Sequence, residues 1–136
     1  MAVEVGRLAS AFRRELGSGL RGQVISSGER GYDTARLVFN GMIDRHPLAV
    51  IRPLDASDVV RCISFARRHD LPLSVRGGGH SVAGHAVRDD AIMLDLSGMK
   101  ALRVDRETRT VRAEPGLTLG EFDAATQAFG LATTLG

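Results

Sequence analysis

The 136-residue chain has one cysteine (Cys62), one lysine (Lys100) and no tryptophan. A lone cysteine excludes an internal disulfide. A lone lysine at position 100 excludes a P-loop, which needs Gly-Lys followed by Ser or Thr. No apolar run approaches the roughly 20 residues needed to cross a membrane, so no membrane partner is expected. The first 16 residues carry Glu4, Arg7, Arg13 and Arg14 among their apolar positions, which breaks the continuous stretch a signal peptide requires. A cytoplasmic location is the expectation. The other 17 basic residues are arginines scattered from Arg7 to Arg112, with a net charge of +2. They form no stripe interleaved with aromatics, so no nucleic-acid partner is expected. Aromatics make up only 4%, and the core must rest on Val, Leu, Ile and Ala.

What is present is globular: 43% hydrophobic, 25% charged, with 16 glycines and no repeats. Val5, Leu8, Phe12 and Leu16 fall at helical spacing, which predicts an amphipathic helix ending near Gly17. Gln23 to Ser26 reads as a short strand, and Asp33 to Met42 as a short helix with Leu37, Val38 and Met42 on its apolar side. Leu48 to Ile51 is an apolar strand closed by Pro53. Asp55 is then an N-cap, with Asp58 in the first turn. Val59, Val60, Ile63 and Ala66 supply the apolar face of the helix that follows, and Cys62 is a small core residue beside it. Leu71 to Val75 is a second strand, completing a strand–helix–strand unit. Ala91 to Asp95 is a third. Ala101 to Asp105 and Thr110 to Glu114 read as a hairpin. Thr118 and Glu121 form a capping box opening a helix with Leu119, Phe122, Ala125 and Phe129 on one face and Gly130 at its end. The fold class is α+β: a small three-stranded parallel sheet with helices around it, plus a hairpin. Residues 1–30 are a lead-in and 31–136 the body.

The stretch that carries chemistry is Arg76-Gly-Gly-Gly-His80-Ser-Val-Ala-Gly84, directly after the second strand of the strand–helix–strand unit. Ligands of open α/β sheets gather where loops leave the C-terminal ends of strands. Consecutive glycines permit positive φ and set bare N–H groups side by side, a nest suited to phosphate oxygens; a flexible turn is the plainer alternative. The dinucleotide fingerprint fails, because Gly77 and Gly79 occupy its first and third positions but Val82 its sixth. Arg76 reads either as a counter-charge to phosphate or as a solvated strand-end arginine, and Ser81 as a phosphate donor or a turn cap. Asp89 and Asp90 read as a solvated turn. No metal site is expected, since His80, His85 and these aspartates lack ligand spacing.

This loop, with the following Asp95-Leu-Ser97, resembles the first flavin-diphosphate loop of the vanillyl-alcohol-oxidase and p-cresol-methylhydroxylase superfamily. Within it the chain is most similar to the berberine-bridge-enzyme-like FAD-linked oxidases. Asn40 to Pro47, Val50 to Pro53, Asp58-Val59 and Val111 to Phe129 extend the resemblance over about Tyr32 to Ala132. It implies the first subdomain of a PCMH-type FAD-binding domain, with FAD as cofactor. Arg76, Gly77, Gly78, Gly79, His80, Ser81, Gly84 and His85 are the implied cofactor-binding residues. In that family the loop histidine is bonded through its imidazole to the 8α-methyl carbon of the flavin, and His80 matches that position. Relatives that hold FAD non-covalently place other small polar residues there. His85 stands where relatives often have asparagine.

The resemblance further implies oxidation of a hydroxyl or C–H group of a small-molecule substrate by hydride transfer to flavin. Relatives continue past Ala132 into a second glycine-rich flavin loop and a substrate domain that supplies the catalytic base. The expectation is therefore an N-terminal fragment that carries no catalytic residue of its own and associates with itself or a partner chain. A non-catalytic flavin- or nucleotide-binding module, or a truncated remnant that needs a partner chain, is the alternative.

Overall fold

A computed structural model describes residues 10–17 and 19–134. Its strands are β1 (Gln23–Ser26), β2 (Ala49–Arg52), β3 (Leu73–Arg76), β4 (Ile92–Asp95), β5 (Leu102–Asp105) and β6 (Thr110–Ala113); its α-helices are α1 (Tyr32–Ala35), α2 (Ala56–Arg68) and α3 (Leu119–Gln127). The first four strands form one sheet in the order β1-β2-β4-β3, and β5 and β6 pair as the expected hairpin. β2, β4 and β3 are parallel, with α2 linking β2 to β3. β1 adds an antiparallel edge, Gln23 opposite Arg52 and Ser26 opposite Ala49. The expected three-stranded parallel sheet is thus extended by β1 into a four-stranded mixed one.

β4 lies between β2 and β3 although it follows both in sequence, and a strand covered on both faces has no polar side. All of Ile92, Met93, Leu94 and Asp95 are accordingly buried. Alternation then sorts the core by face. Ala49, Ile51, Ile92 and Leu94 meet Cys62, Phe65 and Ala66 of α2 together with Phe12 and Leu16. Val50 and Met93 point the other way, onto Ile25, Tyr32, Ala35 and Val87. Phe12 stacks on Phe65 with ring centroids 4.6 Å apart. Burying one such phenyl ring contributes about 2 kcal/mol.

Phe12–Leu16 is a π-helical stretch with Phe12 and Leu16 buried, as their spacing predicts; Val5 and Leu8 lie outside the described residues. α2 starts at the predicted cap, Asp55, whose side chain accepts from the Asp58 N–H. Its buried face is rotated from the expected one: Asp58, Cys62, Phe65 and Ala66 face inward, whereas Val60 and Ile63 are exposed. The cause is Asp58, whose carboxylate accepts the backbone N–H groups of Arg21, Gly22 and Leu54, each at 3.0 Å. Three donors make a buried carboxylate tolerable, and they draw that edge of the helix inward.

The helix expected over 33–42 ends at Ala35. Arg36 folds back onto Asp33, Asp44 and the Arg45 carbonyl. Beyond it the Asn40 side chain accepts the Met42 N–H at 3.0 Å, a turn geometry that competes with helix. Leu37 and Met42 are left exposed and only Val38 packs on the core. α3 has the predicted capping box and closes with Leu131 N–H donating to Thr126 C=O, past Gly130. Its apolar face, however, does not settle on the sheet: Thr126 is its only buried residue, and Leu119 and Phe129 are exposed.

Candidate functional site

Parallel strands in register finish on a common edge, and here they finish in charge. β2 ends in Arg52, β4 in Asp95 and β3 in Arg76, with Arg76 directly opposite Asp95. Asp95 is 0% exposed, and a buried charge must be paired to be tolerated. Arg52 Nε donates to its Oδ2 at 2.8 Å, Arg76 Nε to its Oδ1 at 3.2 Å, Arg76 Nη2 also to Oδ2, and the Ser97 N–H to Oδ1 at 3.2 Å. Burial by itself raises the carboxyl pKa; the Arg76 and Arg52 guanidiniums outweigh it and hold Asp95 below the usual carboxylate range. Arg76 is therefore not a solvated strand-end residue: its charge is paired with Asp95. Its side chain is 12% exposed, and its remaining Nη1 donates to the Leu37 carbonyl.

The glycine loop leaves β3 immediately after this cluster. Positive φ falls on Gly79 (75°) and not on its two glycine neighbours. The Gly79 carbonyl accepts the Phe39 N–H at 3.1 Å, which lays the 37–39 segment against the loop. The His80 imidazole stacks on the Phe39 ring at 4.4 Å between centroids and 25° between planes. His80 is exposed, and neither ring nitrogen has a hydrogen-bond partner among the described residues. The backbone N–H groups of Gly78, Gly79 and His80 likewise donate to nothing in the described chain. A Cβ on Gly78 would lie 3.1 Å from His80 Cδ2, so the bare backbone there leaves the imidazole room.

Loop and segment form one wall of an open cleft of about 1050 Å³. Arg76, Gly77, Gly78, Gly79 and His80 line it, five of the eight residues singled out from the sequence. Ser81, Gly84 and His85 do not. They form the next turn, where Gly84 N–H donates to the Ser81 carbonyl at 3.0 Å and His85 N–H to Ser81 Oγ at 3.2 Å. Gly84 has φ 72°, a Cβ there would lie 3.0 Å from Ile43 Cδ1, and Arg45 Nη1 donates to the carbonyls of Gly84 and Val87, both at 3.1 Å.

The facing wall was not foreseen. It comprises Ser97, Lys100 and the segment Pro115, Gly116, Leu117, Thr118 and Leu119. Lys100 Nζ donates to Glu121 Oε1 at 2.7 Å, and Glu121 Oε2 accepts the Thr118 N–H at 2.8 Å. The Lys100 ammonium and the Thr118 donors pull the Glu121 carboxyl down to about 2. The only available signal was that Lys100 is the sole lysine, and its approach to the loop depends on how the hairpin packs. Cys62 is buried, its thiol pushed up to about 12 by desolvation and the Asp58 charge, so it takes no part as a nucleophile. Among the described residues no three His, Cys, Asp or Glu side chains gather as a metal site.

This loop-and-cleft arrangement belongs to a known class. A model of the FAD binding domain matches residues 47–136, and the chain belongs to that family, the FAD-binding part of flavin-dependent oxidoreductases. It is 32% identical over 117 residues to (R)-6-hydroxynicotine oxidase of Paenarthrobacter nicotinovorans, covering 86% of this chain and 26% of that protein. It is 34% identical over 113 residues to the FAD-linked oxidoreductase hasG of Aspergillus fumigatus, covering 83% and 24%. Among solved structures, 6-hydroxy-D-nicotine oxidase of Arthrobacter nicotinovorans superposes with a TM-score of 0.78 at 30% identity, over 82% of this chain and 25% of that one. The BBE-like 1 protein of Physcomitrella patens superposes with a TM-score of 0.81 at 26% identity, over 88% and 26%. The chain thus spans about a quarter of the length of the relatives it matches.

The residues present fit FAD. Backbone donors without partners at Gly78, Gly79 and His80 suit diphosphate oxygens, which need N–H groups and no intruding side chain. The exposed imidazole at the end of the same loop lines the cleft.

Proposed function

We propose that this chain is the diphosphate-gripping part of a FAD-linked oxidase in which the flavin is joined covalently to His80. The observation that carries this reading is the juxtaposition, on one loop, of unpartnered backbone donors and an exposed imidazole with both nitrogens free. FAD, when bound, supplies a two-electron acceptor for oxidation of a hydroxyl or C–H group of a small-molecule substrate. The chain's own contribution is to bind and orient. Gly78, Gly79 and His80 offer N–H groups to the diphosphate, Phe39 supports the imidazole from one face, and Lys100, ion-paired with Glu121, also lines the cleft. Exposed Phe39, Met42, Val82, Leu119 and Phe129 form apolar surface that favours self-association or a partner chain.

The test is denaturation of a complete oxidase carrying this segment. Flavin fluorescence should stay with the polypeptide through acid precipitation and SDS electrophoresis, and His80→Ala should release it. Wild-type flavin extracted freely by denaturation would defeat the covalent linkage and leave non-covalent FAD binding.

A further inference from the structure

The Arg52–Asp95–Arg76 cluster is more elaborate than the end of a four-stranded sheet requires. Asp95 is already countered by Arg52 and by the Ser97 N–H. Arg76 nevertheless meets both carboxylate oxygens, which fixes its guanidinium plane, and turns its third nitrogen to the Leu37 carbonyl. Two residues on, Phe39 donates its N–H to the Gly79 carbonyl and lays its ring on His80. Phe39 itself is 75% exposed, so burial does not hold it in place. The segment 37–39 is secured at one end by Arg76 and at the other by the loop it supports.

We propose that Arg76 is a positioning residue: clamped by Asp95, it ties the Leu37–Phe39 segment beneath the glycine loop, and through the Phe39 ring it sets the orientation of the His80 imidazole. The functional meaning of that orientation rests on the reading of His80 as the flavin attachment point, whereas the coupling itself does not. A guanidinium can do this and an ammonium cannot, because only the planar fork meets a carboxylate bidentately while a further N–H points elsewhere. The same cleft therefore holds one cation, Arg76, that organises backbone, and another, Lys100, on the far wall.

The test reads His80 directly in the 136-residue chain, without flavin. In proton NMR the His80 ring protons should carry the upfield ring-current shift of a stacked imidazole, and Phe39→Leu should abolish it. Arg76→Lys retains a cation beside Asp95 but loses the arm to Leu37. It should lose the same His80 shift while far-UV circular dichroism and cooperative melting persist. A folded Arg76→Lys protein with an unchanged His80 shift would overturn the proposal. A second measurement needs no Arg76 variant. In the wild type, the Arg76 Nε–H and the Phe39 amide should exchange with solvent together, and more slowly than the Val82 amide. Free exchange of the Phe39 amide beside a protected Arg76 Nε–H would show that the segment is not held by the arginine. Neither result bears on whether flavin is covalently bound, which the denaturation test reads separately.

Discussion

Gly78 and Gly79 are neighbours of identical chemistry held in different backbone conformations. Gly79 has φ 75°, a region that costs an L-residue about 1–2 kcal/mol, so Gly79→Ala should lower unfolding stability by about that amount. Gly78 avoids that region, but its new Cβ would sit 3.1 Å from the His80 ring. Gly78→Ala should therefore cost less than about 0.5 kcal/mol in denaturant unfolding while shifting the His80 resonances. Equal stability losses in the two variants would contradict the assignment of positive φ to Gly79 alone. Asp95 has a pH signature of its own. Its folded-state pKa lies below the unfolded value of about 3.9, so its contribution is fully present above about pH 4 and is lost as pH falls through the folded value. The melting temperature should drop on acidification below about pH 4, and in Asp95→Asn the neutral-pH value should be lower and that acid slope shallower. Asp95→Asn retaining the full wild-type slope would assign the acid sensitivity to the other lowered carboxylates, such as Glu121. At this scale the position of the glycines and His80 on the loop after β3 was legible, because it depends on local sequence. The engagement of Arg76 was not: its partner lies 19 residues away, and only strand register brings the two together.

Among the elements, β4 and α2 differ most in what sequence reading could reach. The apolar run before Asp95 is a strand buried on both faces, and such a strand announces itself by composition alone. The periodicity of α2 was equally clear, yet its buried face was displaced toward Asp58 because that carboxylate serves three backbone N–H groups from the β1 lead-in and the turn after β2. Asp58→Ala leaves Arg21, Gly22 and Leu54 N–H groups without an acceptor. It should destabilise the chain by about 3 kcal/mol in urea unfolding, and amide exchange should quicken first at Gly22. A loss below about 1 kcal/mol would mean that water replaces the carboxylate and that apolar packing alone sets the helix rotation. The residues after Ala35 follow the same logic in reverse. Leu37, Val38 and Met42 have helical spacing, but Arg36 and Asn40 satisfy backbone and carboxylate groups in a non-helical path, and the segment is thereby free to reach the glycine loop.

The molecule as a whole presents an open cleft on a chain that spans about a quarter of the length of the relatives it matches. Its cleft is lined by the glycine loop, by Lys100 and by the segment that leads into α3. Catalysis with a flavin needs substrate, ring and proton acceptor in near-attack geometry. Mixed with FAD and a panel of alcohols and sugars, the 136-residue chain should give no substrate-dependent hydrogen peroxide, and light scattering should show concentration-dependent self-association through its exposed apolar residues. Peroxide at rates typical of enzymes from a monodisperse monomer would overturn this. What the sequence alone determined was the class of fold, the strand–helix–strand unit and the glycine loop after its second strand, because each rests on neighbouring residues and short periodicities. Only the tertiary structure decided that β1 joins the sheet, that α2 turns Asp58 inward, that Arg76 holds backbone, and that Lys100 faces the loop. Those outcomes depend on hydrogen bonds and ion pairs between residues far apart in the chain. Such groups are chosen by register and packing once the core has formed, and no local pattern encodes them.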